Sequence, residues 1–238
     1  NDAPAIKEAD IGIAMGKNGS DMARDVACIT LVDDNFSTIE AAIEEGRSVT
    51  SNIRNTMKYL FSGAIGEMSS ILLSFAFGLP APLLAIQMIW INLVSETLLG
   101  SSLAIEPPGE DVMNHPPASK DAPLMDVQLK KQIVRRGAGI GISTFGIYIG
   151  SMLLGAGLNK ARTLAFTNFI CSQVANVYTS RSNKKAFTNK YMNKMVMASV
   201  ALLLGIIYIP FSNSLFGTVP LGPLSWGAVL GTTALSCI

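Results

Sequence analysis

Three observations predict a mainly α, polytopic membrane helix bundle carrying a short N-terminal α/β segment. The chain has six long apolar stretches, only 15% of its residues are charged, and its loop charges are biased by side. Its 238 residues are 49% hydrophobic, with a mean hydropathy of +0.39. A net charge of +1, with no basic patch interleaved with aromatics, gives no sign of a nucleic-acid partner. Cys28, Cys171 and Cys237 are few, widely spaced and odd in number, so they support neither a disulfide framework nor a CxxC metal site. His115, the single histidine, sits in a Pro-rich connector and reads as a solvated loop residue.

Residues 1–50 are soluble in character. IGIAM (11–15) and CITLV (28–32) are short β-rich runs separated by the helical SDMARDVA, a β–α–β pattern at the edge of an α/β domain. Ser37 followed by Glu40 has capping-box spacing, and Ile39, Ala42 and Ile43 supply an apolar stripe. No Pro interrupts the chain from there to Leu79. One helix therefore runs from the soluble part into the bilayer, or turns once near Gly46. The start NDAPAIKEAD has neither an initiator Met nor a signal peptide, so the chain reads as a piece of something larger.

The apolar stretches lie at about 59–79, 83–103, 137–158, 164–178, 196–209 and 223–238. The later ones are short against the roughly 20 residues that span a bilayer, which tilt and neighbouring helices accommodate. Lys120, Lys130, Lys131, Arg135 and Arg136 follow the second stretch; Arg181, Lys184, Lys185, Lys190 and Lys194 follow the fourth. On the opposite side only Lys160 and Arg162 appear. The excess of positive charge puts the N-terminal segment and both basic loops in the cytoplasm.

Two acids break the apolar pattern. Glu67 is the one charged residue of YLFSGAIGEMSSILLSFAFGL, and Glu96 that of LLAIQMIWINLVSETLLGSSL. A carboxylate at mid-membrane depth costs several kcal/mol and persists where a cation, proton or partner compensates it. Ser70 and Ser74 follow Glu67 at i+3 and i+7, and Asn92, Ser95 and Glu96 occupy i, i+3 and i+4, each set predicted on one helix face. Asn168, Ser172, Gln173 and Asn176 add a further oxygen-bearing face. Carboxylate, amide and hydroxyl oxygens suit a hard cation such as Ca²⁺. The competing reading is ordinary interhelical hydrogen bonding.

NDAPAIKEADIGIAMG, LVDDNFSTIEAAIEEGR, QMIWINLVSE and LAIEPPGEDVMNHPP, in that order along the whole chain, resemble the C-terminal part of P-type ATPases of the calcium-pump (type II) branch. The resemblance implies the end of a HAD-like phosphorylation domain with a stalk helix (1–50), then the last six of ten transmembrane helices (51–238). It implies an ATP-driven, Ca²⁺-transporting translocase. Such a pump works through a phosphorylated aspartate with Mg²⁺ and ATP, and the ATP-binding and actuator domains and first four helices would lie in the missing N-terminal part. Asn1 and Asp2 match the end of the family's hinge-and-magnesium motif. Asp2 is thereby expected at the Mg²⁺–phosphate site, where a carboxylate holds the metal that neutralises developing charge, and Asn1 at the phosphoryl group. Glu67, Asn92, Ser95, Glu96 and Gln173 fall on cation-binding positions. Ser95 stands for Thr, Glu96 for Asp, Gln173 or a neighbour for Glu, and Ala64 replaces a ligating Asn; these departures imply a single ion per cycle, with Mn²⁺ or a monovalent cation as alternatives to Ca²⁺. The loop 106–117 resembles the connector that touches the phosphorylation domain, and with helix 37–79 it is the expected mechanical link. The expected location is a multi-pass position in the lipid bilayer of a bacterial-type plasma membrane, an organellar membrane being the alternative. Two other readings are a channel or secondary transporter using Glu67 and Glu96 as a relay, and a truncated, non-catalytic membrane protein.

Overall fold

A computed structural model describes residues 2–109, 112–114, 116, 123–181 and 189–236. Asn1, Glu110, Asp111, His115, Lys120, Lys184, Lys185 and Cys237 lie outside the described residues. The chain divides into two compact units, Asn1–Arg47 and Ser48–Ile238.

In the first unit, helix α1 (Ala3–Glu8) has Pro4 in its first turn, where a fixed φ is suited. Strands β1 (Ile13–Met15) and β2 (Ile29–Leu31) flank helix α2 (Asp21–Val26) and pair in parallel, Ile13 opposite Ile29 and Met15 opposite Leu31. The expected β–α–β order is therefore present, with strands shorter than the apolar runs. Ser20 caps α2 by accepting the Ala23 N–H at 3.2 Å. After β2, Asp34 takes φ 54°, and its carboxylate accepts the N–H groups of Lys17 (2.9 Å) and Asn18 (2.8 Å). That conformation is tolerated by Asp because its short side chain bonds locally.

Helix α3 (Ser37–Ala76) is one uninterrupted 40-residue helix, with no turn at Gly46. Ser37 is its first residue rather than its cap, and the Ser37 N–H is taken by Asn35 Oδ1 at 3.1 Å. The Thr38 hydroxyl donates to Asp33 Oδ2 at 2.6 Å. Within the second unit follow α4 (Ala85–Trp90), a π-helical segment (Ile91–Glu96), α5 (Thr97–Ala104), a 3₁₀ turn (Val112–Asn114), α6 (Val127–Leu153), α7 (Leu158–Ser180), α8 (Lys190–Tyr208), α9 (Pro210–Phe216) and α10 (Pro223–Ser236). Asp126 caps α6, accepting the Leu129 N–H at 2.7 Å, and also pairs with Arg54. That backbone donor, and then Arg54, hold its carboxyl below the ordinary carboxylate range.

Close helix contact is built on missing side chains. A Cβ on Gly66 would overlap Ile140, one on Gly137 would overlap Ile65, and one on Gly141 would overlap the Ser69 hydroxyl, so α3 and α6 cross backbone to backbone. The larger core gathers Ile91, Ile140, Tyr148, Phe166, Phe169 and Ile207; a smaller one gathers Tyr59, Leu99, Leu103, Val177 and Met192.

The second unit buries polar side chains and exposes apolar ones. Ser62, Ser70, Gln87, Thr144, Asn168 and Gln173 are fully buried, whereas Leu153, Leu154, Phe211 and Leu224 are 77–91% exposed. Water would select the reverse. Among the described residues, two helices combine the length and apolarity needed to cross a membrane, Ser37–Ala76 and Lys190–Tyr208, against six expected spans. The difference has local causes. The 83–103 stretch is divided by the π segment, α6 carries four basic residues and five glycines, α7 carries many buried polar side chains, and α10 has 14 residues.

Candidate functional site

Three helical elements bring four of the expected residues together in two amide–carboxylate pairs. Glu67, on α3, is 7% exposed, and Glu96, at the end of the π segment, is 8% exposed. Asn92 Nδ2 donates to Glu67 Oε2 at 3.3 Å and to the Met88 carbonyl at 3.0 Å. Gln173 Nε2, from α7, donates to Glu96 Oε1 at 2.8 Å. Gly63, one turn before Glu67, makes this second pair possible, since a Cβ there would overlap both the Gln173 amide and Glu96 Oε1. Glu96 therefore lies over the α3 backbone about one helical turn from Glu67.

The π segment changes which side chains face the pair. Its wider turn appears in the Thr97 hydroxyl, which reaches the Asn92 carbonyl five residues back at 3.4 Å. Single π turns of this kind occur often at functional sites. Asn92, Ser95 and Glu96 were expected on one face, and they separate. Asn92 is exposed and turns to α3, Glu96 turns to α3 and α7, and the Ser95 hydroxyl lies 3.3 Å from Ser199 of α8. Ser95 is thus not brought to the two carboxylates.

Several hydroxyls credited with surrounding Glu67 have other partners. Ser70 donates to the Glu67 carbonyl (2.8 Å) and Ser74 to the Ser70 carbonyl (3.0 Å), each within its own helix. The oxygen-bearing face of α7 also divides. Asn168 donates to Ser143 and Thr144 and accepts from Thr232 and Thr233, while Ser172 accepts from Ser236, so these two serve the α6–α7–α10 contact. Gln173 and Asn176 face the other way, and Asn176 Nδ2 donates to Gln173 Oε1 at 3.2 Å and to Ser62 Oγ at 2.9 Å. Ala64, exposed and without a polar atom, contributes no ligand.

Chemically, the two carboxylates offer oxygens to a hard cation, and the exposed Asn92 can follow by turning its carbonyl oxygen inward. As they stand, both amides hold their carboxylates as donors. Among the described residues no three His, Cys, Asp or Glu side chains gather as a metal cluster, so an ion here would depend on amide or backbone oxygens as well. Asp2, in the first unit, is exposed at the N-terminal end of α1, where its side chain makes no capping bond.

Two contributors escape a reading of the apolar stretches. Gly63 is visible in the sequence only as a small residue near Glu67. Arg136 is visible only as a loop charge, yet it bonds Asn176 Oδ1 at 3.3 Å. An Arg directly before the small-residue run GAGIG, at the edge of an apolar stretch, was the available signal.

Comparison with known proteins identifies a family for the chain. Residues 80–238 match the family described as "Cation transporting ATPase, C-terminus". A calcium-transporting ATPase of Bacillus subtilis is 37% identical over 99% of this chain and 27% of its own length. Calcium-transporting ATPase 1 of Saccharomyces cerevisiae is 37% identical over 93% of this chain and 24% of its own. A probable cation-transporting ATPase F of Mycobacterium bovis is 33% identical over 100% of this chain and 27% of its own. The chain thus spans about a quarter of the length of these relatives. With the family match running through the π segment, Glu96, Gln173 and every later helix, the chain belongs to the cation-transporting ATPases, whose C-terminal region it matches.

Proposed function

We propose that this chain is the membrane transport region of an ATP-driven cation pump, with Ca²⁺ as the transported ion and Glu67, Asn92, Glu96 and Gln173 at the cation site. The observation that carries this reading is the pair of nearly buried carboxylates, each met by an amide from another helical segment, in a chain whose relatives are named calcium-transporting ATPases. Carboxylates in apolar surroundings are compensated by what they bind. Ser95 belongs to the site only if the π segment rewinds and returns its hydroxyl to Glu96.

The same reading takes the second unit as six membrane crossings in a lipid bilayer, with the basic loops and the first unit cytoplasmic. Its polar interior, apolar exterior and loop charges support this. The first unit is then the edge of a HAD-like phosphorylation domain, supported by its parallel β–α–β pair. Asp2 fits one carboxylate contact to Mg²⁺, because it is exposed and unspent on capping, and Mg²⁺ characteristically takes one or two carboxylates beside phosphate oxygens and water. Bound there, the metal would neutralise phosphate charge and Asp2 would hold it; the family resemblance adds Asn1, outside the described residues, as a contact to the phosphoryl group. The ATP-binding and actuator parts and the first four helices belong to the remaining three quarters of such a pump, which is the partner this region requires.

ATPase activity of the full-length pump, titrated separately with Ca²⁺, Mn²⁺, Na⁺ and K⁺, tests the assignment. Activation at the lowest concentration by Ca²⁺ is expected. Activation by Na⁺ or K⁺ alone would replace the calcium assignment.

A further inference from the structure

The amide that faces Glu96 has a defined orientation, and the groups that define it lie outside the carboxylate pair. Arg136, half-buried near the start of α6, donates Nη1 to Asn176 Oδ1 (3.3 Å), Thr179 Oγ1 (3.0 Å) and Ser180 Oγ (3.0 Å). Its Nη2 donates to the Thr179 carbonyl at 2.9 Å. A guanidinium only donates, so the Asn176 atom turned toward it is the oxygen. Asn176 Nδ2 then points inward to the Tyr59 carbonyl (3.4 Å), Ser62 Oγ (2.9 Å) and Gln173 Oε1 (3.2 Å). Ser62 is free to accept there because its own proton goes to the Lys58 carbonyl at 2.6 Å. With Oε1 engaged, Gln173 has only Nε2 to offer Glu96.

The bonds therefore run in one direction, from guanidinium to Asn176, to Gln173, to Glu96. Reversing one amide sets like atoms against each other at both of its ends, and buried polar mismatches of this kind are costly. We propose that Arg136 and Asn176 are positioning residues that lock Gln173 as a hydrogen-bond donor to Glu96. Gln173 consequently competes with the cation for Oε1 instead of ligating it. A cation that occupies Glu96 must displace the Gln173 N–H, and the chain back to Arg136 sets how hard that is. This inference rests on the cation-site reading above.

The test is cation activation of ATPase in the full-length pump, separating half-saturating concentration from maximal rate. Asn176→Asp keeps the acceptor for Arg136 and removes the donor to Gln173. Arg136→Gln removes the donor-only group, and Arg136→Lys keeps it. Asn176→Asp and Arg136→Gln are expected to lower the half-saturating concentration by roughly three- to tenfold, the size of ordinary couplings between networked side chains. Arg136→Lys should stay near wild type. Both shifts should vanish in a Gln173→Leu background, where no amide remains to orient. A shift that survives Gln173→Leu would mark a plain electrostatic effect and overturn the proposal, as would a wild-type value for Arg136→Gln. Loss of phosphorylation by inorganic phosphate in both Asn176→Asp and Arg136→Gln would show a scaffold role and overturn it equally. If Glu96→Gln left cation activation unchanged, the cation-site reading itself would fail, and that outcome is distinct from the others.

Discussion

Glu67 and Glu96 differ in what surrounds them, and the difference ranks them. Glu96 is held by Gln173 at 2.8 Å within a network that extends to α6, whereas Glu67 is met by the exposed Asn92 at 3.3 Å. Glu96→Gln is therefore expected to abolish cation-activated phosphorylation by ATP while phosphorylation by inorganic phosphate continues. Glu67→Gln should weaken cation affinity more mildly. Loss of both phosphorylation reactions in Glu96→Gln would instead mean misfolding. Gly63 offers a sharper probe. The atoms its Cβ would meet are the ends of two flexible side chains, Gln173 and Glu96, rather than backbone. Gly63→Ala should thus leave thermal stability within about 1 kcal/mol, since helix propensity favours Ala by a similar amount, yet shift the half-saturating cation concentration severalfold. Wild-type cation dependence in that variant would show that the two side chains do not act as a set. At this scale the acids were legible, because a lone carboxylate in a long apolar run stands out. Their partners were only partly so, since a sequence shows that Asn, Gln and Ser are present but not which way each donates.

Among the elements, the π segment explains the largest departure from the sequence reading. Nothing in INLVSE marks it, for it contains neither Pro nor Gly, and its effect is to rotate Ser95 toward Ser199. The helix junctions carry a second feature that composition cannot show. Arg181, at the end of α7, and Glu106, after α5, form an ion pair with both side chains 2% exposed. Asn189, the cap of α8, adds a bond to Glu106 Oε2 at 2.6 Å, and Asn52 of α3 donates to the Glu106 carbonyl at 2.7 Å. In sequence, Glu106 opens the 106–117 connector and Arg181 opens a basic loop; in structure, they tie α3, α5, α7 and α8 at one end. Removing one partner leaves a buried, uncompensated charge, so Arg181→Ala should destabilise the protein by about 3–5 kcal/mol. The pair Glu106→Leu with Arg181→Met should recover much of that loss in the same thermal-unfolding measurement in detergent. Equal losses in the single and double variants would show that the charges themselves are not what matters.

For the molecule as a whole, hydropathy located the helices better than it counted the crossings. The boundaries near 79, 104 and 209 were legible because Gly78, the Pro107–Pro108 pair and Pro210 stop helices there. The crossings were less so, because α7 packs its polar side chains inward, which lowers its apolarity without making it less suited to a bundle interior. Charge supplies the independent criterion. Lys130, Lys131, Arg135 and Arg136 crowd the N-terminal part of α6, and Lys160 and Arg162 follow its far end. If α6 crosses the bilayer with its basic end inside, a thiol introduced at Gln128 should react with a membrane-impermeant maleimide only after the cytoplasmic side is opened. Thiols at Asn159 and Ser214, separated from each other by α7 and α8, should both react from outside in intact cells carrying the cysteine-depleted pump. All three side chains are exposed, so accessibility within the protein does not limit the reaction. Should Gln128→Cys and Asn159→Cys label from the same side, α6 does not cross, and the six-crossing arrangement fails at that helix. Should Asn159→Cys and Ser214→Cys label from opposite sides, the fault lies in α7 or α8 instead, and since α8 alone of the two has the length and apolarity to span, α7 would be the helix to withdraw.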